Sequence, residues 1–478
     1  MMQPGRSVVA VLAAVALIGL APMSLAGEGP KGAPADEALV GTWMGEMDGA
    51  RIYYRIWRGW DGRLVASTGC IEAVQSALLV DSAVLTGRAV KITTKRVKLS
   101  YDGTLSADNR RIDGSLTIGK RKRPLVLQKV DSLPGPNRPQ TPHGPYPYEA
   151  RSVHYRNEAA GIVLAGTLTL PRKGGPFPAV LLIPGSGPAD RNEEFGFHRP
   201  FEVIADYLTR RGMAVLRVDK RGVAESQGDY TKSNIRDFTS DALAGVKFLA
   251  GLPRIDPQRI GLVGHSEGGM VAPIAATEST DVSFAVLLAG PAMSEFDILV
   301  MQDGTEAMAA GASEEQAAII RAWSARYYAI VRDTVDPAEA RKKLEALKAA
   351  RTPQERQAYK FLGDVGSLNI DNALDKGFRE DLRADYSRYL SKMKCPVLAL
   401  IGQKDCQVPA GPNVKAAQAA FRKSANADAK AMELPALNHM FQKCMTGATA
   451  EYATIEETIS PDALKIMGDW IEAHTKSQ

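Results

Sequence analysis

The sequence predicts an α/β protein in two parts: a mostly parallel sheet wrapped by helices and carrying a helical cap insertion, preceded by a small antiparallel β domain. Three observations predict it. From Val153 onward, apolar runs of strand length alternate with amphipathic stretches of helix length, the rhythm of a doubly covered sheet. Between Leu39 and Val130 the runs are shorter, alternate in polarity and are separated by Asp-Gly pairs. Between Pro291 and Lys394 no strand pattern occurs but several helical ones do, over an interval much longer than an ordinary connection.

Composition bounds the answer first. The chain has 478 residues, is 45% hydrophobic and carries a formal net charge of only +5. That length accommodates more than one core, and the basic residues form no long run of the kind that tracks nucleic acid. Arg6, the apolar run Val8 to Leu20 and the small residues Ser24-Leu25-Ala26 predict a signal peptide over residues 1–26. The run is short for a spanning helix, which needs about 20 residues. The expected location is therefore periplasmic or secreted, with no membrane span after cleavage. Export permits disulfides among Cys70, Cys395, Cys406 and Cys444, and the absence of a C-x-x-C pair argues against zinc.

Residues 27–37 read as a flexible Gly/Pro/Lys/Ala leader. The small β domain is expected over residues 39–132, with strands such as Ile52-Tyr53-Tyr54-Arg55-Ile56 and Val97-Lys98-Leu99-Ser100-Tyr101. Turns are expected at Asp48-Gly49, Asp61-Gly62, Asp102-Gly103 and Asp113-Gly114. Trp43, in Gly41-Thr42-Trp43-Met44-Gly45, reads as a plug for this small core. Six prolines between Leu133 and Tyr148 predict an extended connector over residues 133–150. In the remainder, residues 151–478, strands are expected at Ile162 to Leu170, Ala179 to Ile183, Ala214 to Val218, Ile260 to Val263, Phe284 to Leu288, Val397 to Ile401 and Ala431 to Leu434. Helices are expected at Phe201 to Arg211 and Ile235 to Ala250. The cap, about 294–393, opens with a capping box, Ser313 with Gln316, followed by Ile319, Trp323, Tyr327 and Ile330 at helical spacing. Asp336-Pro337 begins another helix. The interval is expected to cover the active site, with Trp323, Tyr327 and Tyr328 as candidates to face substrate, although for any one of them packing inside the cap is the favoured role.

The chemistry centres on Gly264-His265-Ser266-Glu267-Gly268-Gly269. A buried strand precedes it and a small-residue helix follows, which places Ser266 on a sharp turn with glycines where the two backbones approach. A serine hydroxyl needs an imidazole to take its proton, and the imidazole needs a carboxylate to orient it. His439, in the loop after the last strand, is the base. Asp405, just past Val397 to Ile401, is the acid. His265, His198, His154 and His143 precede any plausible acid and are expected to be structural or exposed, and His474 belongs to a terminal helix. Two backbone N–H donors are needed for the tetrahedral oxyanion. They are assigned to Glu267 and to Ser186, with Gly187 as the next choice, in the loop Pro184-Gly185-Ser186-Gly187-Pro188. That loop lacks the Gly-Lys-Ser/Thr ending of a phosphate cradle. Arg221 and Asp190-Arg191 are expected to brace the loops beneath this site. A triad would draw the loops of Cys406 and Cys444 together, so a disulfide between them is expected.

Taken together, Ile183 to Asn192, Asp219-Lys220-Arg221-Gly222, the serine motif, Asp405 with Val408-Pro409, and Leu437 to Gln442 resemble exported bacterial α/β-hydrolases. The group is that of carboxylesterases of the dienelactone-hydrolase and acyl-peptide-hydrolase branch with a β domain in front. The resemblance implies the α/β-hydrolase fold, Ser266, Asp405 and His439 as a triad, and Ser186 with Glu267 as the oxyanion hole. Pro184 and Asn192 depart from it, standing where His and Asp are frequent. It implies a serine carboxylesterase acting on a small-molecule ester, with no organic cofactor or metal. The alternatives are a serine peptidase or a thioesterase on the same fold, or a non-catalytic scaffold binding a glycan or other ligand. A propeller-bearing peptidase is excluded, because the β domain is too short for four blades.

Overall fold

A computed structural model describes residues 36–72, 77–94, 98–362, 369–424 and 426–476. The expected signal peptide lies outside them, as does Val97. Among the described residues no helix is long and apolar enough to cross a membrane.

The first unit is one nine-stranded antiparallel sheet. Its strands are β1 (Gly41–Met47), β2 (Ala50–Arg58), β3 (Leu64–Cys70), β4 (Leu78–Leu79), β5 (Ser82–Thr86), β6 (Ala89–Thr94), β7 (Leu99–Leu105), β8 (Arg111–Ile118) and β9 (Arg121–Val130), in the order β4-β3-β2-β1-β9-β8-β7-β6-β5. The sheet curls around a core in which Trp43, Tyr54 and Tyr101 are fully enclosed. Trp43 donates its Nε1–H to Leu39 O at 2.8 Å, so the plug is also hydrogen-bonded.

Two of the expected turns are strands instead. Asp102-Gly103 lies inside β7 and Asp113-Gly114 inside β8, with Gly103 directly opposite Gly114. The Tyr101 ring crosses this glycine pair. A Cβ on Gly114 would sit 2.6 Å from the Tyr101 hydroxyl, which donates to Ile112 O and Leu125 O. Here the glycines make room for an aromatic ring, an interior use of the residue that turn chemistry does not anticipate.

The connector carries no regular structure until Tyr148, where β10 (Tyr148–Asn157) begins within the span read as linker. Side chains hold it down: Arg138 Nη1 donates to Ile455 O at 2.6 Å and Nη2 to Gly196 O at 2.8 Å, while Gln140 Nε2 donates to Ile459 O at 2.7 Å.

The second sheet adds β11 (Ile162–Pro171), β12 (Phe177–Ile183), β13 (Ala214–Val218), β14 (Ile255–His265), β15 (Phe284–Leu288), β16 (Val397–Gly402) and β17 (Ala429–Leu434). The order is β10-β11-β13-β12-β14-β15-β16-β17, parallel from β13 to β17, with β10 and β11 antiparallel. Helices α1 (Pro200–Arg210), α2 (Ile235–Ala250), α3 (Gly268–Glu278), α11 (Ala410–Ser424) and α12 (Pro461–Thr475) cover it. Along β12 the alternation is visible in the packing. Ala179, Leu181 and Ile183 join the core made with α2, α3 and α11, while Val180 and Leu182 join the core made with α1 and α12. This is the α/β-hydrolase architecture.

Between β15 and β16 the described chain is helical: α4 (Glu295–Ala309), α5 (Glu314–Asp333), α6 (Pro337–Ala349), α7 (Pro353–Ala358), α8 (Ile370–Ala373), α9 (Lys376–Asp381) and α10 (Ser387–Leu390). Ser313 and Gln316 close a reciprocal capping box on α5, and Asp336 caps α6. Trp323, Tyr327 and Tyr328 have no exposed surface and form the centre of the cap's own core.

The two sheets meet at the loops that follow β12 and β13. Arg55 pairs with Glu194 at 2.6 Å, Trp57 Nε1 donates to Glu225 at 3.0 Å, and the Tyr53 ring lies 5.9 Å from that of Phe197. Tyr53 is therefore buried on the outer face of its sheet, which explains why β2 is not a clean alternation.

Candidate active site

Strands β12 and β14 are parallel neighbours in register, Ile183 opposite Gly264, so their carboxyl ends finish side by side. The chain crosses to opposite sides of β12 to form β13 and β14, which makes this the point where a doubly wound sheet opens a crevice. The loop Pro184 to Gly187 and the residue Ser266 occupy its rim.

Ser266 has φ +52°, a left-handed conformation that costs a non-glycine residue on the order of 1–3 kcal/mol. Surrounding contacts hold it there. Ser266 N–H donates to Leu288 O at the end of β15, and Ser266 O accepts from Gly269 N, both at 2.8 Å. A Cβ on Gly264 would lie 2.0 Å from Gly268 O, one on Gly268 would lie 2.0 Å from Ile183 O, and one on Gly269 would lie 2.5 Å from Gly290 Cα. These overlaps are backbone against backbone, so no rotamer relieves them. Gly268→Ala is expected to lower stability by more than about 3 kcal/mol, or to prevent folding. Soluble yield and thermal melting measure it, and a melting temperature equal to wild type would contradict this account.

Asp405 and His439 are brought together by β16 and β17. Asp405 Oδ1 accepts from Gln407 N at 2.9 Å and Val408 N at 2.8 Å, leaving Oδ2 for His439 Nδ1 at 2.8 Å. Both side chains are almost entirely enclosed. An Nδ1–H donated to the carboxylate leaves Nε2 as the acceptor of the neutral ring. The histidine loop is built by its neighbours. Asn438 Oδ1 accepts from Met440 N and Gln442 N, and Asn438 Nδ2 donates to Gln442 Oε1. Gly402 allows this loop to cross the end of β16, since a Cβ there would meet Leu437 O at 2.4 Å.

His439 O accepts from His265 Nε2 at 3.2 Å, and the two imidazole rings lie 4.9 Å apart. Because His265 precedes Ser266, the histidine loop is tied directly to the serine turn. His265 Nδ1 meets Glu193 Oε1 at 2.9 Å. Burial opposes a charge on this imidazole, but the Glu193 carboxylate and the His439 carbonyl raise its affinity for a second proton above that of an ordinary histidine. Glu193 Oε1 also accepts Gly185 N–H at 2.5 Å. His265 thus has a specific structural part, linking three loops of the rim. Neither Glu193 nor its link to His265 stood out in the sequence; the only signal was a histidine beside the serine.

Ser186 is exposed at the rim, and a Cβ on Gly185 before it would lie 3.1 Å from Ser266 Cβ. Among the described residues, neither Ser186 N–H nor Glu267 N–H donates to another protein group. The bracing expected of the charged residues takes a definite form. Arg191 grips Asp219 through Nε at 3.1 Å and Nη2 at 2.6 Å, and Arg221 grips Asp241 and Asp237. His198 is buried against Thr458 and Tyr452 O, and burial lowers its pKa to about 4.

The expected Cys406–Cys444 disulfide is corrected. No disulfide joins them; Cys406 Sγ points to Gly447 O at 3.1 Å and Cys444 Sγ to Ala436 O at 3.7 Å. The loops are joined by Lys404 instead, whose Nζ donates to Cys444 O at 3.2 Å and Met445 O at 2.6 Å.

Four carboxyls in the rim loop and the cap hold their protons more tightly than ordinary carboxyls do. Burial pushes Glu295 up to about 7, Asp303 to about 7 and Asp190 to about 7. Asp381 reaches about 8 through burial and the nearby Glu267 and Glu295. Unfolded, such groups titrate near pH 4. Each raised pKa means that the folded state keeps a proton the unfolded state has released. The stability is therefore fully present below about pH 4 and is lost as pH rises through 7–8. The melting temperature is expected to fall between pH 5 and pH 8.5, and the double variant Glu295→Gln, Asp381→Asn to flatten that slope. A slope unchanged in the double variant would contradict the assignment.

A sequence model of the X-Pro dipeptidyl-peptidase (S15 family) matches residues 160–425, more than half of the chain. The chain belongs to this family. The match takes in β12, Ser266 and Asp405 and stops short of His439. Esterase EstD of Thermotoga maritima is 40% identical over 129 residues, which are 27% of this chain and 31% of that esterase. The chain therefore aligns with about a third of that relative's length. Among solved structures, the esterase Pf2001 of Pyrococcus furiosus is 18% identical, covering 71% of this chain and 98% of its own, with TM-score 0.42. A hypothetical protein of Pseudomonas aeruginosa, PA2218, is 19% identical, covering 70% and 96%, with TM-score 0.44. Both the family description and the Thermotoga maritima relative are those of hydrolytic enzymes.

Proposed function

We propose that the protein is a serine carboxylesterase cleaving small or medium acyl esters, with Ser266 as nucleophile, His439 as base and Asp405 as the group that orients it. The observation that carries this reading is the 2.8 Å contact from His439 Nδ1 to Asp405, at the same sheet edge as a serine held at φ +52°. In the reaction, Ser266 Oγ bonds to the acyl carbon while His439 Nε2 takes its proton. The oxyanion is held by Ser186 N–H and Glu267 N–H. Collapse of the intermediate breaks the carbon–oxygen bond to the alcohol, which leaves with the proton from His439. Water activated by the same nitrogen then releases the acid. Each oxyanion donor is worth about 3 kcal/mol in the transition state.

The similarity to an esterase at 40% identity over 129 residues supports ester substrates, whereas the family's name supports a second reading, cleavage of X-Pro peptides. Short p-nitrophenyl esters and an aminoacyl-prolyl p-nitroanilide, offered in parallel, separate the two. Ester turnover is expected to exceed anilide turnover; the reverse would establish the peptidase. The leader further supports action in the periplasm or outside the cell, and exported protein whose first residue is near Gly27 would verify it.

A further inference from the structure

We propose that Lys220 is a positioning residue for the oxyanion hole, orienting and polarising one donor and anchoring the other; this rests on the triad reading above. Lys220 follows β13 in Asp219-Lys220-Arg221-Gly222 and is buried. Its Nζ donates to Gly185 O at 2.7 Å and to Glu267 Oε2 at 2.9 Å. These partners belong to the two places from which the oxyanion donors come.

The first contact acts through the peptide unit. The carbonyl of Gly185 and the N–H of Ser186 belong to one planar trans amide, in which C=O and N–H point in opposite directions. An ammonium fixed on the carbonyl therefore sets the direction of the Ser186 N–H on the far side. It also draws electron density toward the carbonyl oxygen, which strengthens the N–H as a donor. The preceding amide is pinned as well, since Gly185 N–H is held by Glu193. Both planes that meet at Gly185, a residue otherwise free to rotate, are thereby fixed from opposite sides.

The second contact acts through the side chain of Glu267, whose own N–H is the other donor. The carboxylate tethered to Lys220 restrains the residue after the nucleophile, and its charge balances the ammonium. Two rings also approach the ammonium: Nζ lies 4.5 Å from the Phe238 ring centroid and 5.5 Å from that of Tyr230. With its polar contacts directed at the two loops and two rings beside it, Lys220 acts on catalysis through the loops and not by touching substrate.

A cation that only stabilised the fold would alter melting and leave transition-state affinity untouched. The test compares wild type, Lys220→Met and Lys220→Arg with p-nitrophenyl butyrate and with a trifluoromethyl ketone that forms a tetrahedral adduct. Lys220→Met is expected to lower kcat by about 10- to 100-fold, less than deletion of a whole donor. KM should stay within about twofold, and the ketone should bind more weakly by the same factor as kcat. Lys220→Arg, which keeps a cationic donor, should recover most of the loss. Should Lys220→Met fail to fold, Lys220→Gln supplies the neutral variant, with the same outcome expected. A folded neutral variant with wild-type kcat, or one in which KM rises while kcat and ketone affinity hold, would overturn the proposal. Wild-type protein inert toward every acyl substrate would instead overturn the triad reading.

Discussion

Ser266→Ala is expected to lower kcat on p-nitrophenyl esters by about 10⁴-fold or more and to abolish labelling by a fluorophosphonate, while melting stays close to wild type. The size follows from the mechanism: without Oγ there is no acyl-enzyme, and what remains is the contribution of binding and the oxyanion donors alone. The retained stability follows from the geometry. The turn is held by Ser266 N–H on Leu288 O and by Gly269 N–H on Ser266 O, both backbone bonds that alanine keeps. Alanine and serine also share the same difficulty with a positive φ, so the strain at this position is carried over unchanged. Ester turnover by the alanine variant within tenfold of wild type would end the proposal of an acyl-enzyme at this residue.

Asp405→Asn is expected to lower kcat by about 10⁴-fold with KM little changed. The substitution preserves shape and reverses a hydrogen bond. Oδ1 is held by the N–H groups of Gln407 and Val408, so the amide oxygen must remain there and the amide NH₂ must face His439 Nδ1. A donor facing Nδ1 forces that nitrogen to be the acceptor and moves the ring proton to Nε2, the position that should receive the serine proton. Nitrogen-15 shifts of the imidazole report the tautomer directly. A variant with Nδ1 still protonated and kcat near wild type would refute the assigned role. Asp405→Ala is expected to be less stable than Asp405→Asn, because it leaves the Gln407 and Val408 N–H groups and a buried imidazole without an acceptor, at about 1–3 kcal/mol for each unsatisfied group.

Much of the second sheet was legible because its strands are buried on both faces. Phe284–Leu288 is apolar throughout and Ala214–Val218 is apolar but for Arg217, and the ends of both runs coincide with the observed strands. Strand β10, at the sheet edge, has no such run: the sequence predicts no strand there, and Tyr148 to Ala150 fall within the expected connector. The cap helices announced themselves through Ser313 with Gln316 and Asp336 with Pro337, signals confined to four or fewer residues. The turn assignments at Asp102-Gly103 and Asp113-Gly114 failed because a glycine can serve a turn or a neighbour's ring, and only the cross-strand register distinguishes the two. The Cys406 to Cys444 pairing failed for a related reason: proximity of two loops does not specify which atoms on them meet, and here Lys404 meets the backbone of the other loop.

By itself the sequence determined the local conformations: a strand, a glycine-lined turn and a helix around Ser266, and loops after late strands carrying Asp405 and His439. Those follow from steric and periodic rules that act over a few residues. Only the tertiary structure decided how the rim is held, with Lys220 spanning Gly185 and Glu267, and Glu193 and His265 joining the donor loop to the histidine loop. These partners come from loops that meet only when parallel strands finish at one edge. Charged pairs leave no periodicity in the chain, so their matching depends on strand order and register.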